Sequence, residues 1–287
     1  MTYELAIGDR TYSSWSLRGW LPFAHWDIPV QTRTCKLYSD EVQELLKDFA
    51  PSRLVPAIKK DGIIVHDTLA IAETLAEAHP DRAMWPTDPG LRAMARSITA
   101  EMHSGFGALR AACPMNLAHS WVGFEPSEDV LADCQRIETL WETALDASGG
   151  PWLCGEYSLA DVFYAPVATR FATYHLPRSE RSDAYIAEHL AEPHFRRWRA
   201  MGRAQNHHQP FYDFDLDKGP WPGPQLLAAK AVDSGPSVNE SCPYSGKSVT
   251  DFLELGGKVY GFCNPFCRDK TVADPKAWPA FMALVDG

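Results

Sequence analysis

Three short segments in the first eighty residues carry groups suited to holding and ionising a small peptide thiol. Tyr12-Ser13-Ser14-Trp15-Ser16 places hydroxyls ahead of an apolar stripe at helical spacing. Leu54-Val55-Pro56 precedes a short strand, and Asp67-Thr68 opens another helical stretch with an acid and a hydroxyl. A thiol attacks as its thiolate. Hydroxyls at a helix N-terminus donate to a thiolate at the positive end of the helix. Lowering a thiol pKa by one unit takes about 1.4 kcal/mol, which one charge-assisted hydrogen bond supplies. An X–Pro bond is the usual place for a cis peptide, and a cis Val55–Pro56 bond would turn the Val55 N–H and C=O outward to pair with an extended peptide. The Thr68 hydroxyl and N–H at a helix start suit a carboxylate, and Asp67 an amino group. Taken singly, these are ordinary N-caps, loops and helix starts; their order and spacing carry the reading.

The elements that must position them follow from periodicity. Tyr3 to Gly8 reads as a buried strand, and Ser13 or Ser14 caps a helix to about His25 with the stripe Leu17, Trp20, Leu21, Ala24. Pro22 should end or kink that helix. Val30 to Lys36 is a second strand, Ser39-Asp40-Glu41 caps a second helix, and residues 56–65 read as strand, Lys60-Asp61-Gly62 turn, strand. Asp67 or Thr68 caps the next helix, which Pro80 ends. The order β-α-β-α-β-β-α is that of a thioredoxin-like domain. Beyond it the chain reads as helical. One helix opens at Asp88-Pro89 and runs through Met102 to Leu109, one follows Ser127, and Ser158-Leu159-Ala160-Asp161 is a capping-box pattern before an apolar run. A last helix spans Pro193 to Arg203.

Residues 1 to about 205 resemble a cytosolic glutathione S-transferase. The Ser13-Ser14-x-Ser16-x-Arg18 run is similar to the serine motif of the zeta class, which includes maleylacetoacetate isomerases; Trp15 stands where that motif has a cysteine. The resemblance implies an α/β thioredoxin-like domain at 1–80 and an all-helical domain at 88–205, assembled as a homodimer. It gives Ser13 the place of the catalytic serine and Ser14 that of its neighbour, with Tyr12 a rival donor. Glutathione as cosubstrate would lie against Val55, Pro56, Asp67 and Thr68. The helical domain would supply the pocket for a small electrophile, with Met102, His103, Phe106 and Arg110 as candidates, although each also suits a core or interface position.

Composition narrows the partners. The chain has 287 residues, 45% hydrophobic and 22% charged, with a net charge of −10, which argues against nonspecific nucleic-acid binding. No apolar stretch reaches membrane-spanning length and the N-terminal residues make a poor signal peptide, so the expected location is cytoplasmic, with no membrane partner. Residues 206–238, rich in Pro and Gly, read as a linker anchored by Phe211, Tyr212, Phe214 and Trp221.

Three of the seven cysteines, Cys242, Cys263 and Cys267, fall in residues 239–287 with the spacing C-x20-C-x3-C. That spacing, with an aromatic residue before Cys263, resembles TRASH and YHS-type modules: small, cysteine-containing α+β units that handle metals. Thiolates suit zinc or another thiophilic metal such as Cu(I). Three sulfurs are one short of a closed structural zinc site. Asp251, Glu254, Asp269, Asp274, His207, His208 or a water are candidates for the fourth position. The function expected is activation of glutathione for addition to, or isomerisation of, a small electrophile. The alternative is a non-catalytic glutathione-binding or metal-handling protein.

Overall fold

The computed structural model describes residues 2–287, which cluster into two compact units. The first holds the chain up to Leu190 together with Gln209–Pro222; the second holds Ala191–His208 with Gly223–Gly287. The stretch 206–238 thus contributes to both.

In the first unit, β1 (Tyr3–Ile7), α1 (Ser14–His25), β2 (Val30–Thr34), α2 (Glu41–Leu46), β3 (Ala57–Lys60), β4 (Ile63–His66) and α3 (Thr68–Ala78) form the thioredoxin-like domain. The sheet order is β2-β1-β3-β4, with β1 parallel to β2 and antiparallel to β3. Central β1 is buried on both faces, which is why Leu5, Ala6 and Ile7 are all apolar. The β3–β4 hairpin turns on Asp61 and Gly62, both with positive φ (51° and 81°), the primed geometry that a two-residue hairpin needs. Helix α1 buries Leu17, Leu21 and Phe23. Gly19 faces Pro56 so closely that a Cβ would lie 2.7 Å from its ring, so this glycine lets α1 seat directly on the Val55–Pro56 loop. Pro22 does not end α1; it sits in the last turn and the helix runs on to His25.

The helices α4 (Pro89–Ser104), α5 (Gly107–Ala112), α6 (Glu128–Ser148), α7 (Leu159–Thr173) and α8 (Glu180–Ala191) complete this unit, with a short antiparallel pair of β5 (Ser120–Val122) and β6 (Asp217–Gly219). The helix expected to continue to Leu109 breaks at Gly105, because Phe106 takes the left-handed conformation (φ 56°) and Arg110 Nη1 returns to bond the Gly105 carbonyl at 3.1 Å. Every residue of α7 is buried. Its start is the expected capping box: the Ser158 hydroxyl accepts from Ala160 N, and Asp161 accepts from Ser158 N at 2.9 Å.

The second unit comprises α9 (Pro193–Gln205), the antiparallel sheet β7 (Ala229–Val232), β8 (Asp251–Leu255) and β9 (Lys258–Phe262), and the helices α10 (Pro265–Ala273) and α11 (Pro279–Asp286). Its core joins Ala200 of α9 to Leu253, Tyr260, Phe262, Trp278 and Phe281. Arg196 of α9 pairs bidentately with Asp274 at 2.8 and 2.6 Å.

Candidate active site

Two cavities in the first unit share Trp15, Arg53, Leu54 and Val55. The smaller, about 520 Å³, is lined by Val55, Pro56, His66, Asp67, Thr68 and His103. The Val55–Pro56 bond is cis, and neither the Val55 N–H nor its carbonyl finds a hydrogen-bond partner among the described residues. Asp67 caps α3, its Oδ1 accepting from Leu69 N at 2.9 Å, while its Oδ2 lies 3.2 Å from His103 Nε2. The Thr68 hydroxyl is buried and unpartnered at the N-terminus of α3. A buried donor without a partner is costly, so this hydroxyl marks where a ligand's polar end fits.

The larger cavity, about 900 Å³, contains Ser13, Ser14, Arg110, Arg170 and Tyr212 on its walls. Ser13 is the N-cap of α1: its Oγ accepts weakly from Ser16 N at 3.3 Å and donates to Ser16 Oγ at 2.8 Å. Ser16 Oγ also accepts from Gly8 N at 2.9 Å, so it keeps a partner when the Ser13 proton swings away. Ser14, one residue on, is half-buried and its hydroxyl bonds to no described residue.

Arg170 is buried within α7, its Nε donating to the Cys113 carbonyl at 2.7 Å and Nη1 to the Pro166 carbonyl at 3.0 Å. Arg18 is likewise buried, with Nε on the Phe163 carbonyl at 2.8 Å and Nη2 unpartnered. Arg18 and Arg110 flank the Trp15 ring at 4.6 and 5.0 Å. Burial lowers Arg170 to about 10 and Arg18 well below its ordinary value, with mutual repulsion among these arginines adding to both. Among the described residues no carboxylate pairs with Arg18, Arg110 or Arg170. Positive charge held without a counterion beside a cavity favours an anionic occupant.

The structure divides the four residues expected to form the electrophile pocket. Arg110 lines the larger cavity. His103 instead lines the smaller one, against Asp67. Met102 is fully buried and Phe106 nearly so, and neither lines either cavity; both fill the core because α4 and the left-handed turn aim them inward. Arg170 and Tyr212 were not expected from the sequence. The one arginine of α7, beyond its apolar run Val162–Ala168, was the available signal for Arg170, since a buried charge is kept for a reason.

In the second unit the Sγ atoms of Cys242, Cys263 and Cys267 lie within 4.8 Å of one another. Cys242 is buried, which raises its pKa, but N–H donors of Tyr244, Cys263 and Ser245 and the Ser245 hydroxyl outweigh this and lower it to about 7. Burial pushes Cys267 up to about 11. Ser245 Oγ and Asn264 Nδ2 each donate to Cys263 Sγ at 3.2 Å. Among the described residues, no histidine or carboxylate expected as fourth ligand joins the three sulfurs. Asp251 and Asp269 pair with Arg268, Asp274 with Arg196, and Glu254 with Lys230.

Comparison with known proteins gives these sites a setting. Residues 12–78 match the family model for the glutathione S-transferase N-terminal domain, and residues 123–200 that for the C-terminal domain. A probable maleylacetoacetate isomerase of Caenorhabditis elegans is 36% identical over 100 residues, 35% of this chain and 46% of that protein, so the chain spans about half of that relative's length. The maleylacetoacetate isomerase of Rattus norvegicus is 31% identical over 165 residues, 55% of this chain and 72% of that protein. Among solved structures, a glutathione transferase homologue from Burkholderia with bound glutathione superposes with a TM-score of 0.57 at 22% identity, covering 71% of this chain and 99% of that one. Glutathione transferase Omega 2S from Trametes versicolor, in complex with 2,4-dihydroxybenzophenone, gives 0.54 at 21% identity, covering 71% and 97%. At these identities the two structures speak to the fold alone.

Proposed function

The chain belongs to the glutathione S-transferase family, and on that premise we propose that it ionises the thiol of glutathione for addition to, or isomerisation of, a small anionic electrophile. The observation that carries this reading is the meeting of the two cavities at Trp15 and Val55, peptide-binding groups on one side and hydroxyls with arginines on the other.

In this reading glutathione lies in the smaller cavity. Its γ-glutamyl carboxylate takes the unpartnered Thr68 hydroxyl at the start of α3, its amino group takes Asp67, and its backbone pairs with the free N–H and C=O of Val55. The thiol then reaches Ser14 at the first turn of α1, where a donated hydrogen bond and the helix dipole stabilise the thiolate. Ser13 adds a second donor by releasing Ser16. The thiolate attacks an electrophilic carbon in the larger cavity, forming a C–S bond while the electron pair moves onto the substrate's carbonyl oxygen. Retention of that bond, with the enolate taking a proton from solvent to replace the one the thiol released, is conjugation; rotation about the former double bond and return of the electron pair, expelling the thiolate, is isomerisation. Arg110 and Arg170 are suited both to a substrate carboxylate and to the developing oxyanion. The relatives named maleylacetoacetate isomerases, a name that denotes an anionic substrate, support the isomerase branch.

Titration calorimetry with glutathione tests the binding half: saturable heat at millimolar ligand is expected, and its absence ends the reading. Turnover compared between carboxylate-bearing and uncharged electrophiles tests the rest, with Arg110→Gln raising KM only for the former. A homodimer is part of the proposal, supported by family membership and checked by light scattering. A cytoplasmic location is supported by the seven free cysteines, which persist in a reducing compartment; among the described residues no helix is long and apolar enough to cross a membrane.

A metal-handling role for the second unit stands beside this activity. The convergence of three sulfurs, one with its pKa lowered to about 7, supports a thiophilic ion at Cys242, Cys263 and Cys267. With no protein carboxylate in the set, zinc would complete its coordination with water, whereas three sulfurs suffice for Cu(I).

A further inference from the structure

One wall of the larger cavity comes from a single 3-10 turn, Pro210–Tyr212, outside the sheet and the α-helices. A strap, residues 209–222, belongs to the first unit and is clamped to it at both ends. At the near end Gln209 is buried, its Nε2 donating to Asp9 Oδ2 at 2.6 Å and to the Leu37 carbonyl at 2.9 Å. At the far end Phe214 packs edge-on to Trp121 and Tyr174, with centroids 5.3 and 5.8 Å apart. Beyond it, β6 pairs with β5, and Ser120 Oγ donates to the Pro220 carbonyl at 2.9 Å.

Between the clamps a tight turn, closed by Tyr212 N on the Gln209 carbonyl at 2.9 Å, points the Tyr212 ring over the cavity. That ring lies 4.8 Å from the Tyr12 ring, next to the two serines. Its hydroxyl meets the Tyr38 hydroxyl at 2.9 Å. Tyr38 sits in the loop between β2 and α2 in the left-handed conformation and is itself largely exposed. The two hydroxyls therefore join the strap to that loop at the cavity's rim, where Phe211 is also exposed beside Tyr38.

We propose that Tyr212 is a specificity-determining residue: its ring bounds the space beside the reacting sulfur, and its hydroxyl bond to Tyr38 holds that boundary in place, so that compact electrophiles are admitted and long or branched ones excluded. This inference rests on the glutathione reading of the preceding section. Two clamps fix the backbone on either side, so the wall is placed by packing, and the single hydroxyl pair governs how far it yields. The strap's covering of the cavity, rather than the arginines, then sets the size limit, while the arginines set the charge preference.

Glutathione, S-methylglutathione and S-hexylglutathione are suitable probes, because the S-substituent alone extends into the larger cavity. Calorimetry would be run on the full chain and on Tyr212→Ala, Tyr212→Phe, Tyr38→Phe and the double Phe variant, each checked for an unchanged thermal transition. Removing the ring in Tyr212→Ala should tighten S-hexylglutathione by about tenfold relative to glutathione, whose own affinity stays within about twofold. The two Phe variants, which keep the ring, should each give a smaller shift of the same sign, about threefold, and the double variant no more than either, as expected when both remove one bond. An unchanged ratio of S-hexylglutathione to glutathione affinity in a folded Tyr212→Ala protein overturns the proposal, and additive Phe effects overturn the hydroxyl latch. If the unaltered chain binds none of the three, the glutathione reading itself has failed and takes this inference with it.

Discussion

The Ser13 hydroxyl donates to Ser16 Oγ at 2.8 Å while the hydroxyl of Ser14, its neighbour in the same cavity, has no partner among the described residues. One serine holds the helix start together and the other stands ready to act on a ligand. Ser14→Ala is expected to lower kcat/KM about a hundredfold, the order seen for loss of one donor to a developing anion, with no change in melting temperature. Ser13→Ala should lower both turnover and stability, the latter by about 1 kcal/mol through the lost cap. Steady-state kinetics with a thermal melt on each variant separates them. Ser14→Ala turnover within twofold of the parent would pass the donor's role to Ser13 or Tyr12, which line the same cavity.

Asp67 carries two tasks on two oxygens. Oδ1 caps α3, and Oδ2 lies 3.2 Å from His103 Nε2, on the wall of the smaller cavity. Asp67→Asn keeps the capping oxygen and removes the charge. Glutathione affinity should drop by about tenfold, the loss of a charge-assisted contact to the amino group, while the melting temperature holds. A parallel titration with a glutathione analogue lacking the amino group should show no difference between parent and variant. Equal weakening of both ligands would place the amino group elsewhere.

Much of this arrangement was legible from residue types because local chemistry specified it. The cis bond at Val55–Pro56, the Asp61-Gly62 hairpin and the caps at Ser127 and Ser158 all arise from a few adjacent residues and fell where expected, and of the two caps open for α3, Asp67 or Thr68, the structure uses Asp67. What tertiary packing decides was not legible. Met102 and His103 are neighbours on α4, yet one is core and the other lines a cavity, and periodicity alone does not tell which face looks where. The break at Gly105 depends on Arg110 reaching back to its carbonyl. Tyr212 lies in a stretch with almost no regular structure, so its place over the cavity depends on Gln209 finding Asp9, two hundred residues away in sequence.

Asp161 gives a pH signature for folding. It is fully buried and accepts from Leu153 N at 3.1 Å, Tyr185 Oη at 3.0 Å, and both the N–H and hydroxyl of Ser158. Burial raises its pKa from 3.8 to about 6 against the pull of those bonds. Between these values the folded state holds a proton that the unfolded state has released. Its contribution to stability is therefore complete below about pH 4 and declines as pH rises through 6, by up to about 3 kcal/mol. Asp161→Asn cannot titrate. Urea midpoints of parent and variant at pH 4.5 and 7.5 should show the parent's advantage shrinking at the higher pH, other carboxylates cancelling in the difference. A constant gap would mean that the hydrogen bonds hold the carboxyl ionised throughout.

The cysteine cluster makes the last prediction. Cys263 precedes the Asn264 cap of α10 and Cys267 lies in its first turn, while the chain from Cys242 enters β8 beside the end of β9, where Asp251 pairs with Phe262, so the three sulfurs converge at one end of one small sheet. A core of this size gains from a staple, and thiolates bound to a metal supply one. Protein purified without chelator or affinity tag should carry close to one equivalent of zinc or copper by elemental analysis. Cys263→Ser should reduce the metal content and lower the melting temperature of the second unit while leaving glutathione binding intact, since Val55, Asp67 and Thr68 lie in the first. Affinity should weaken on acidification, because protons compete for the sulfurs. Less than about a tenth of an equivalent of any transition metal, with all three thiols free to titrate in folded protein, would return these cysteines to ordinary packing.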